Sequence, residues 1–455
     1  MIPARFTTRD GAGLGGLVAL AWVLRAAGIA TQPLTSDDLS VAQTARAFML
    51  QGLPEPTMWN HPRLRDLLVD LSLGWFGEGA WGIKFWSVLL ATLAVPALFL
   101  LLRRLAPDRP LVAWLGAALL AIEPFHVHFA RQGIQDGYLT FFPVAGLVAA
   151  LRYRSSRATG WLLLSGLLFG LGLASKWNAL FTMAMALGLV ALDAWRQEPR
   201  QARRIAPLAF AVAALVVLPL TVYLLTWWPW FGRGYSFGEW IDFHRAMAAE
   251  TSTHVGYPGT KLPGFYGELI GAWRWFLAPC WFVDLGLPTV GTGKTGMTWL
   301  IGVGNPVAWL LVLPALGFAA WRGWRRRDAA GGLLAALFLV NYLPFLSPSR
   351  PIFANSAVVV VPYALALVGY AAAAAWERAR SLVAGWLTLA AVAAALLWLA
   401  STGQGPQASG WLVRALVPPE AWDSKTLKLQ QSAARSARGS PAPPAPPDAP
   451  PAQAK

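Results

Sequence analysis

The sequence is short of cysteine and of charged residues. Its one cysteine, Cys280, excludes an internal disulfide and any cage of cysteine ligands around a metal. Charged residues make up 13% of the 455 positions and apolar residues 56%, a balance that soluble proteins do not have. No small-residue cleavage site follows the first apolar run, so we expect no cleavable signal peptide. These absences indicate a polytopic membrane protein.

Basic residues outnumber acidic ones, 37 to 22. A nucleic-acid-binding protein would gather them on one face, whereas here they lie in small clusters between apolar runs. The positive-inside rule assigns such short loops to the cytoplasm. The clusters are Arg5/Arg9, Arg103/Arg104/Arg109, Arg152/Arg154/Arg157, Arg196/Arg200/Arg203/Arg204, Arg322/Arg325/Arg326/Arg327 and Arg378/Arg380. We expect no nucleic-acid partner, a cytoplasmic N-terminus, and a C-terminus outside the inner (plasma) membrane.

The apolar runs predict an all-α protein with eleven transmembrane helices, since about 20 apolar residues cross a bilayer. They lie near residues 12–31, 83–102, 111–125, 137–151, 158–174, 177–194, 206–226, 298–320, 330–346, 356–376 and 382–400. Residues 1–400 would form the transmembrane domain. The outer segment 401–455 is predicted to be disordered from about residue 432, where Pro and Ala dominate.

Two long outer segments are the expected functional regions. Residues 32–82 are predicted to carry the catalytic groups and two amphipathic helices at the membrane interface, the second with leucines at helical spacing from Leu64 to Leu71. Residues 227–297 contain seven of the 25 tryptophans and are expected to bind substrate. Tryptophans at this density suit interface anchoring, and they also suit stacking on sugar rings.

The acid pair Asp37-Asp38 follows the first span, where charge beside hydrocarbon is costly unless it is used. The helix expected over residues 39–51 would have Thr35 or Ser36 as its cap. Both acids would then lie in its first turn, where the helix dipole favours an ionised carboxylate. The pair is therefore the first candidate for chemistry.

Three further polar sets stand at predicted outer span ends. They are Arg131 with Asp136, the run Ser175-Lys176-Trp177, and Arg350. A single charge in such a place is usually an anchor at the lipid headgroups. Together, an acid pair and three basic residues from separate helices would bind a phosphate-linked lipid beside a general base.

Six short motifs occur in a fixed order along the chain. They are Asp37-Asp38 after Arg25, His61-Pro62-x-Leu64, Arg131-x4-Asp136, Ser175-Lys176-Trp177-x2-Leu180-Phe181, Gly304-Asn305-Pro306-Val307 and Arg350-x2-Phe353. They resemble the ordered motifs of the protein O-mannosyltransferase family, glycosyltransferase family 39. That family belongs to the membrane-embedded GT-C class, which also includes the aminoarabinose transferase of lipid A. The resemblance implies a GT-C fold and an enzyme that transfers a hexose, in this family mannose, from a polyprenyl-phosphate donor to an acceptor hydroxyl, with inversion, on the outer face.

The resemblance also implies roles for single residues. Asp37 matches the catalytic acid that deprotonates the acceptor, and Asp38 matches the Glu beside it. The donor phosphate would be bound by Arg131, Lys176 and Arg350. Supporting positions are Asp136, expected to orient Arg131, together with His61, Arg25 and Trp177.

This chain departs from the family in the stretch His-Pro-Pro-Leu-Gly-Lys, where Arg63, Arg65 and Asp66 occupy the third, fifth and sixth places. Its acid pair is Asp-Asp and not the more usual Asp-Glu. These departures leave open the sugar and whether the acceptor is a protein Ser/Thr hydroxyl or a lipid or glycan, and the sequence does not determine the oligomeric state. A rival hypothesis, a transporter of lipid-linked sugar, predicts inverted repeats that the sequence does not have.

Two further patterns imitate known sites. The run from Gly291 to Thr295 resembles a phosphate loop, but Pro288 stands where that motif needs its first glycine. His126 and His128 near Glu123 could ligate a metal, although two histidines in an aromatic stretch are more often hydrogen-bonded. We assign no metal residues, and a divalent metal requirement stays open.

Overall fold

The computed structural model describes residues 8–54, 59–197, 201–253, 272, 275–277, 281–286, 298–346 and 354–403, most of them helical. The α-helices are α1 (Thr8–Ala26), α2 (Ser36–Gln51), α3 (Leu64–Phe76), α4 (Ala80–Leu105), α5 (Pro110–Ile122), α6 (Pro124–Ala130), α7 (Phe142–Ser156), α8 (Thr159–Ser175), α9 (Ala179–Gln197), α10 (Gln201–Val212), α11 (Leu218–Leu225), α12 (Trp228–Gly232), α13 (Phe237–Thr253), α14 (Pro306–Trp309), α15 (Val312–Arg325), α16 (Ala329–Tyr342), α17 (Val361–Trp376) and α18 (Arg380–Thr402). Single 3-10 turns lie at Ile29–Thr31, Gln135–Thr140, Leu343–Phe345 and Ala354–Val359, and a π-helical segment, Ala213–Val217, joins α10 to α11.

The helices are those of a multi-pass membrane protein. Within the described residues, six are long and apolar enough to cross a bilayer: Asp10–Thr31, Ala80–Leu105, Ala179–Arg196, Ile205–Leu225, Pro306–Arg325 and Arg380–Thr402. The pair α5 and α6, bent by 57°, makes a seventh. The predicted number of eleven is not reached by length and composition, because α7, α8, α16 with its 3-10 turn, and α17 have 17 residues or fewer.

The predicted helical fold is confirmed, and one pair of short strands adds to it. β1 (Trp281–Gly286) and β2 (Thr298–Val303) pair antiparallel, with Trp281 opposite Val303. The sequence predicted a helix from residue 298. That helix begins only at Pro306, because Asn305 caps it by accepting a hydrogen bond from the Val307 amide, and because proline fits the first helical position.

The two helices predicted between the first two spans are present. α2 begins at Ser36 with Thr35 as its cap, and a reciprocal pair of hydrogen bonds between Thr35 and Asp38 makes a capping box. α3 buries Leu64, Val69 and Leu73 against the bundle and leaves Trp75 about half exposed. α3 is thus amphipathic, with its apolar stripe largely inside the protein.

The core is continuous through α4, α5 and α17. α5 and α17 approach so closely that a Cβ atom on Gly369 would lie 2.6 Å from the Gly116 nitrogen. α4 places Lys84 near its start and Arg103 in its last turn. The candidate site lies at the Lys84 end of the bundle, and the described residues of the arginine clusters lie at the other.

Candidate active site

The Asp38 carboxylate joins three elements at the centre of the site. It is fully buried, and one oxygen, Oδ2, accepts from the Thr35 amide at 2.9 Å and pairs with the Lys84 ammonium on α4 at 2.9 Å. The other, Oδ1, accepts from the Gly133 amide at 2.7 Å. A Cβ on Gly133 would lie 2.5 Å from an Ile83 methyl, so a side chain there would disturb this contact. Asp38, expected to be catalytic, therefore has both oxygens engaged in holding the site together.

Asp37 differs from its neighbour in exposure. It is partly exposed in the first turn of α2, where the helix dipole favours its ionised form. Successive helical residues are turned by about 100°, so the two acids leave α2 on different sides. Of the predicted pair, Asp37 is the acid that solvent and substrate can reach.

Arg131 lies buried just after α6 and is held by the end of α1. Its Nε donates to the Gln32 side chain at 3.0 Å, and its Nη1 donates to the carbonyls of Arg25 and Ala27, both at 2.8 Å. Its Nη2 has no hydrogen-bond partner in the described part of the chain. A buried guanidinium donor without a partner is costly, which makes it a candidate to bind an anionic oxygen.

Asp136 does not orient Arg131 as predicted. Its carboxylate accepts from the Lys176 ammonium at 2.8 Å. Lys176 caps the C-terminal end of α8 in an extended conformation, and its side chain remains 19% exposed. Asp136 lies in the turn Gln135–Thr140, which brings its carboxylate to Lys176. Sequence spacing alone cannot predict this contact.

The positions where the chain departs from its family form a buried ionic group. The Asp66 carboxylate accepts from Arg63 Nη1 at 2.7 Å and from Arg65 Nη2 and Nε at 2.6 and 2.8 Å. Arg65 Nη1 also donates to Gln135 at 2.9 Å, which ties α3 to the turn that carries Asp136. All three side chains are at most 1% exposed. Two cations on one acid leave this group positively charged, a feature that the sequence marked only as a deviation.

His61 lies beside these cations. Arg63 donates to its carbonyl oxygen. Burial lowers the pKa of the His61 imidazole well below its ordinary value, and the positive charges of Arg65, Lys176 and Arg63 lower it further. Burial likewise lowers the pKa of Arg63 to about 10, which leaves it charged at neutral pH. The structure therefore brings His61, Lys176 and the arginines of α3 together.

Trp177 belongs to a hydrogen-bonded chain that reaches α13. Its indole donates to the Tyr223 hydroxyl at 3.2 Å, and that hydroxyl lies 2.7 Å from His244 Nε2 on α13. His244 Nδ1 lies 2.8 Å from the Trp240 carbonyl, which can only accept. The imidazole thus donates at Nδ1 and accepts at Nε2, so its neutral form fits. Burial lowers the pKa of His244 to about 4, and the charge of Arg63 adds to this effect.

Arg25 acts at the break between α5 and α6, and its side chain does not reach the acid pair. It donates to the carbonyls of Leu120 and Ala121 at 3.0 Å each and to His126 Nδ1 at 2.7 Å. His126 Nε2 in turn donates to Thr140 at 2.9 Å. Only the Arg25 carbonyl touches the site, through Arg131.

The suspected metal ligands are used within the fold. Glu123 caps α6 and accepts from the Asn305 amide at 3.0 Å, while His128 lies 2.7 Å from the Gln132 side chain. No group of three His, Cys, Asp or Glu residues in the described ranges is arranged to hold a metal ion. Arg350 and the run from Gly291 to Thr295 lie outside the described residues.

Comparison with solved structures identifies the fold. The S. cerevisiae protein O-mannosyltransferase Pmt1-Pmt2 complex bound to the sugar donor matches with a TM-score of 0.74 and 13% identity, over 90% of this chain and 92% of that one. ArnT from Cupriavidus metallidurans bound to undecaprenyl phosphate matches with a TM-score of 0.56 and 17% identity, over 86% and 76%. The helical bundle is therefore that of a GT-C membrane glycosyltransferase.

Sequence relatives narrow the class to a family. Residues 72–232 match the family model for dolichyl-phosphate-mannose-protein mannosyltransferase. The polyprenol-phosphate-mannose--protein mannosyltransferase of Mycobacterium tuberculosis is 25% identical over 67% of this chain and 68% of its own length. The chain resembles the protein O-mannosyltransferases in sequence, as its motifs predicted, and it is a glycosyltransferase.

Proposed function

We propose that this enzyme transfers mannose from a polyprenyl-phosphate-mannose donor to a protein Ser or Thr hydroxyl, with inversion at the anomeric carbon. The observation that carries the proposal is the division of labour in the acid pair. Asp38 is buried and held by Lys84 and Gly133, while Asp37 beside it is partly exposed. A fixed support next to an accessible carboxylate is the arrangement that a general base needs.

The reaction balances with the groups at hand. Asp37 accepts the proton of the acceptor hydroxyl while that oxygen forms a bond to the anomeric carbon. The bond from that carbon to the phosphate oxygen breaks, and the polyprenyl phosphate leaves with the electron pair. Attack opposite the leaving group inverts the configuration. A positioned base contributes about 10²–10⁴-fold to such a step.

Cations near Asp37 would stabilise the leaving phosphate. Arg131 offers the Nη2 donor that lacks a partner in the described residues, and Lys176 is partly exposed. We infer that Arg63 and Arg65 add to the positive field in place of the missing lysine of the family motif, while Asp66 fixes their position. Preorganised cations aimed at developing negative charge are often the largest contribution to catalysis.

The orientation follows from the arginine clusters, which we place in the cytoplasm. The site would then face outward, with residues 32–82 catalytic and 227–297 contributing to substrate binding. A single cysteine in place of Glu78, introduced with Cys280→Ser, tests this orientation, since the Glu78 side chain is 81% exposed. Labelling of intact cells by an impermeant maleimide supports the orientation, and labelling only after lysis contradicts it.

The activity test uses purified enzyme, polyprenyl-phosphate-mannose and a Ser/Thr peptide. We expect Asp37→Asn to lose transfer by at least about 10²-fold. Asp70→Asn is a matched control, because Asp70 lies on α3 and forms only a loose 3.6 Å pair with Arg46. Near-normal transfer by Asp37→Asn would remove Asp37 as the base. Parallel reactions with EDTA test for a divalent metal.

The acceptor needs its own experiment, since ArnT, with the same fold, was solved with undecaprenyl phosphate and the aminoarabinose class acts on lipid A. A deletion strain should lose mannosylated proteins and keep its glycolipids unchanged. The opposite result would assign a lipid or glycan acceptor to the same donor chemistry.

A further inference from the structure

A groove of about 1180 Å³ opens between α15, α17 and α18, at the arginine-rich end of the bundle. α15 ends at Arg325 and α18 begins at Arg380, whereas Asn305, before α14, contacts Glu123 near the other end. None of the described residues that line the groove belongs to the candidate active site. The reaction proposed above makes no use of it.

The walls of the groove are apolar. α15 contributes Phe318, α18 contributes Leu382 and Trp386, and α17 contributes the run Ala371–Ala375. Leu382 is 75% exposed and Trp321, near the mouth, is 46% exposed. Within a bilayer such walls suit acyl chains. Hydrocarbon chains can fill the gap between the helices and make van der Waals contact with its apolar walls.

The rim of the groove carries net positive charge. Four arginines line it, Arg109, Arg322, Arg326 and Arg378, against the acids Asp108 and Glu377. The first two are already committed, because Arg109 and Arg322 pair with Asp328 at 2.8 and 3.1 Å.

The Asp328 carboxylate itself stays ionised. Although burial would raise its pKa, hydrogen bonds from Arg109 and Tyr370 lower it to about 2. Arg326 and Arg378 are exposed and form no ion pair with any described residue. These two arginines are thus the cations available to a ligand.

We propose that this groove binds an anionic phospholipid, with its acyl chains against α15, α17 and α18 and its phosphate between Arg326 and Arg378. A lipid supplies both halves of the complementarity, an apolar body and an anionic head at the level of the membrane surface. Basic pockets between transmembrane helices on the cytoplasmic side bind anionic headgroups in this way. The inference is independent of the proposed reaction, since near-normal transfer by Asp37→Asn, which would contradict that reaction, would leave it unchanged.

The test measures lipid binding by native mass spectrometry of the full chain in nanodiscs, with phosphatidylglycerol compared with phosphatidylcholine. We expect the wild type to retain phosphatidylglycerol selectively. The variant Arg326→Gln/Arg378→Gln should bind it about 30-fold more weakly. Arg325→Gln/Arg380→Gln removes the same charge from the same helix ends but outside the groove lining, and should bind as the wild type does. A bulky residue in the groove, Ala375→Trp, should displace the lipid while leaving the rim charges in place.

Three results would overturn the proposal. Equal loss in both double arginine variants would mean a general surface charge effect. Equal retention of the two lipids would mean no headgroup recognition. A dimer that holds no lipid and is broken by Ala375→Trp would assign the groove to a second copy of the chain.

Discussion

Replacing each acid of the pair by its amide should separate catalysis from stability. Asp38→Asn removes one partner of an ion pair whose two side chains are both 0% exposed, and it leaves the Lys84 ammonium buried without a counter-charge. Breaking such a pair typically costs about 3–5 kcal/mol. The asparagine keeps one oxygen, so it can accept from the Thr35 amide or from the Gly133 amide but not from both, and this lost hydrogen bond adds to the effect of the lost charge. Asp37→Asn removes a partly exposed acid and should change stability by less than about 1 kcal/mol.

The assay pairs thermal unfolding in detergent with sugar transfer for the same protein samples. Asp38→Asn should melt several degrees below the wild type, and adding Lys84→Met should recover part of that loss, since no charge is then left unpaired. Asp37→Asn should melt near the wild type and lose transfer. If Asp38→Asn melted like the wild type and abolished transfer while Asp37→Asn remained active, the two roles would be reversed and our reasoning refuted.

Three further predictions concern the surroundings of the acid pair. Asp66→Asn should destabilise the protein by about 3–5 kcal/mol, because Arg63 and Arg65 then share no carboxylate. The all-apolar triple variant Arg63→Leu/Arg65→Met/Asp66→Leu should melt at a higher temperature than Asp66→Asn. An unchanged melting temperature in Asp66→Asn would contradict this. The pKa of His244 is lowered from 6.5 to about 4 in the folded protein, so folding favours the neutral imidazole. Docking of α13 should therefore be complete above about pH 6.5 and should be lost as the pH falls toward 4. Hydrogen exchange of α13 measures this, and His244→Gln should remove the pH dependence that we expect. Gly133→Ala should destabilise by about 1–3 kcal/mol and lower transfer, because the new methyl meets Ile83 at 2.5 Å; a melting curve like that of the wild type would show that the loop can shift.

The local pattern of the chain predicted much of the candidate site. The Thr35 to Asp38 stretch has the spacing of a capping box, and the structure forms it. Family motifs predicted Asp37, Arg131 and Lys176 as site residues, and these roles stay predictions. The structure connects Asp38, beside Asp37, to Gly133, two residues after Arg131, and it pairs Lys176 with Asp136. The pairing of Asp136 was predicted wrongly, since a motif of six residues suggested Arg131 and the fold supplied Lys176 from another helix.

The positions that depart from the family have contacts that the local sequence pattern could not predict. The sequence shows only three charged residues after His61 and Pro62, namely Arg63, Arg65 and Asp66, and it assigns them no role. Only packing reveals that they share hydrogen bonds, exclude water and reach Gln135. Arg350 lies outside the described residues, so its predicted role remains a prediction.

The sequence by itself determined the class of the protein, because a bilayer requires long apolar helices and leaves an unmistakable composition. It also located the acid pair, since capping and charge placement act within a few residues. The tertiary structure decided which acid is buried, since Lys84 and Gly133 come from distant segments and only folding brings them to Asp38. Burial and ion pairing depend on contacts between helices. These contacts distinguish the two neighbouring carboxylates, Asp38 as a structural support and Asp37 as the candidate base.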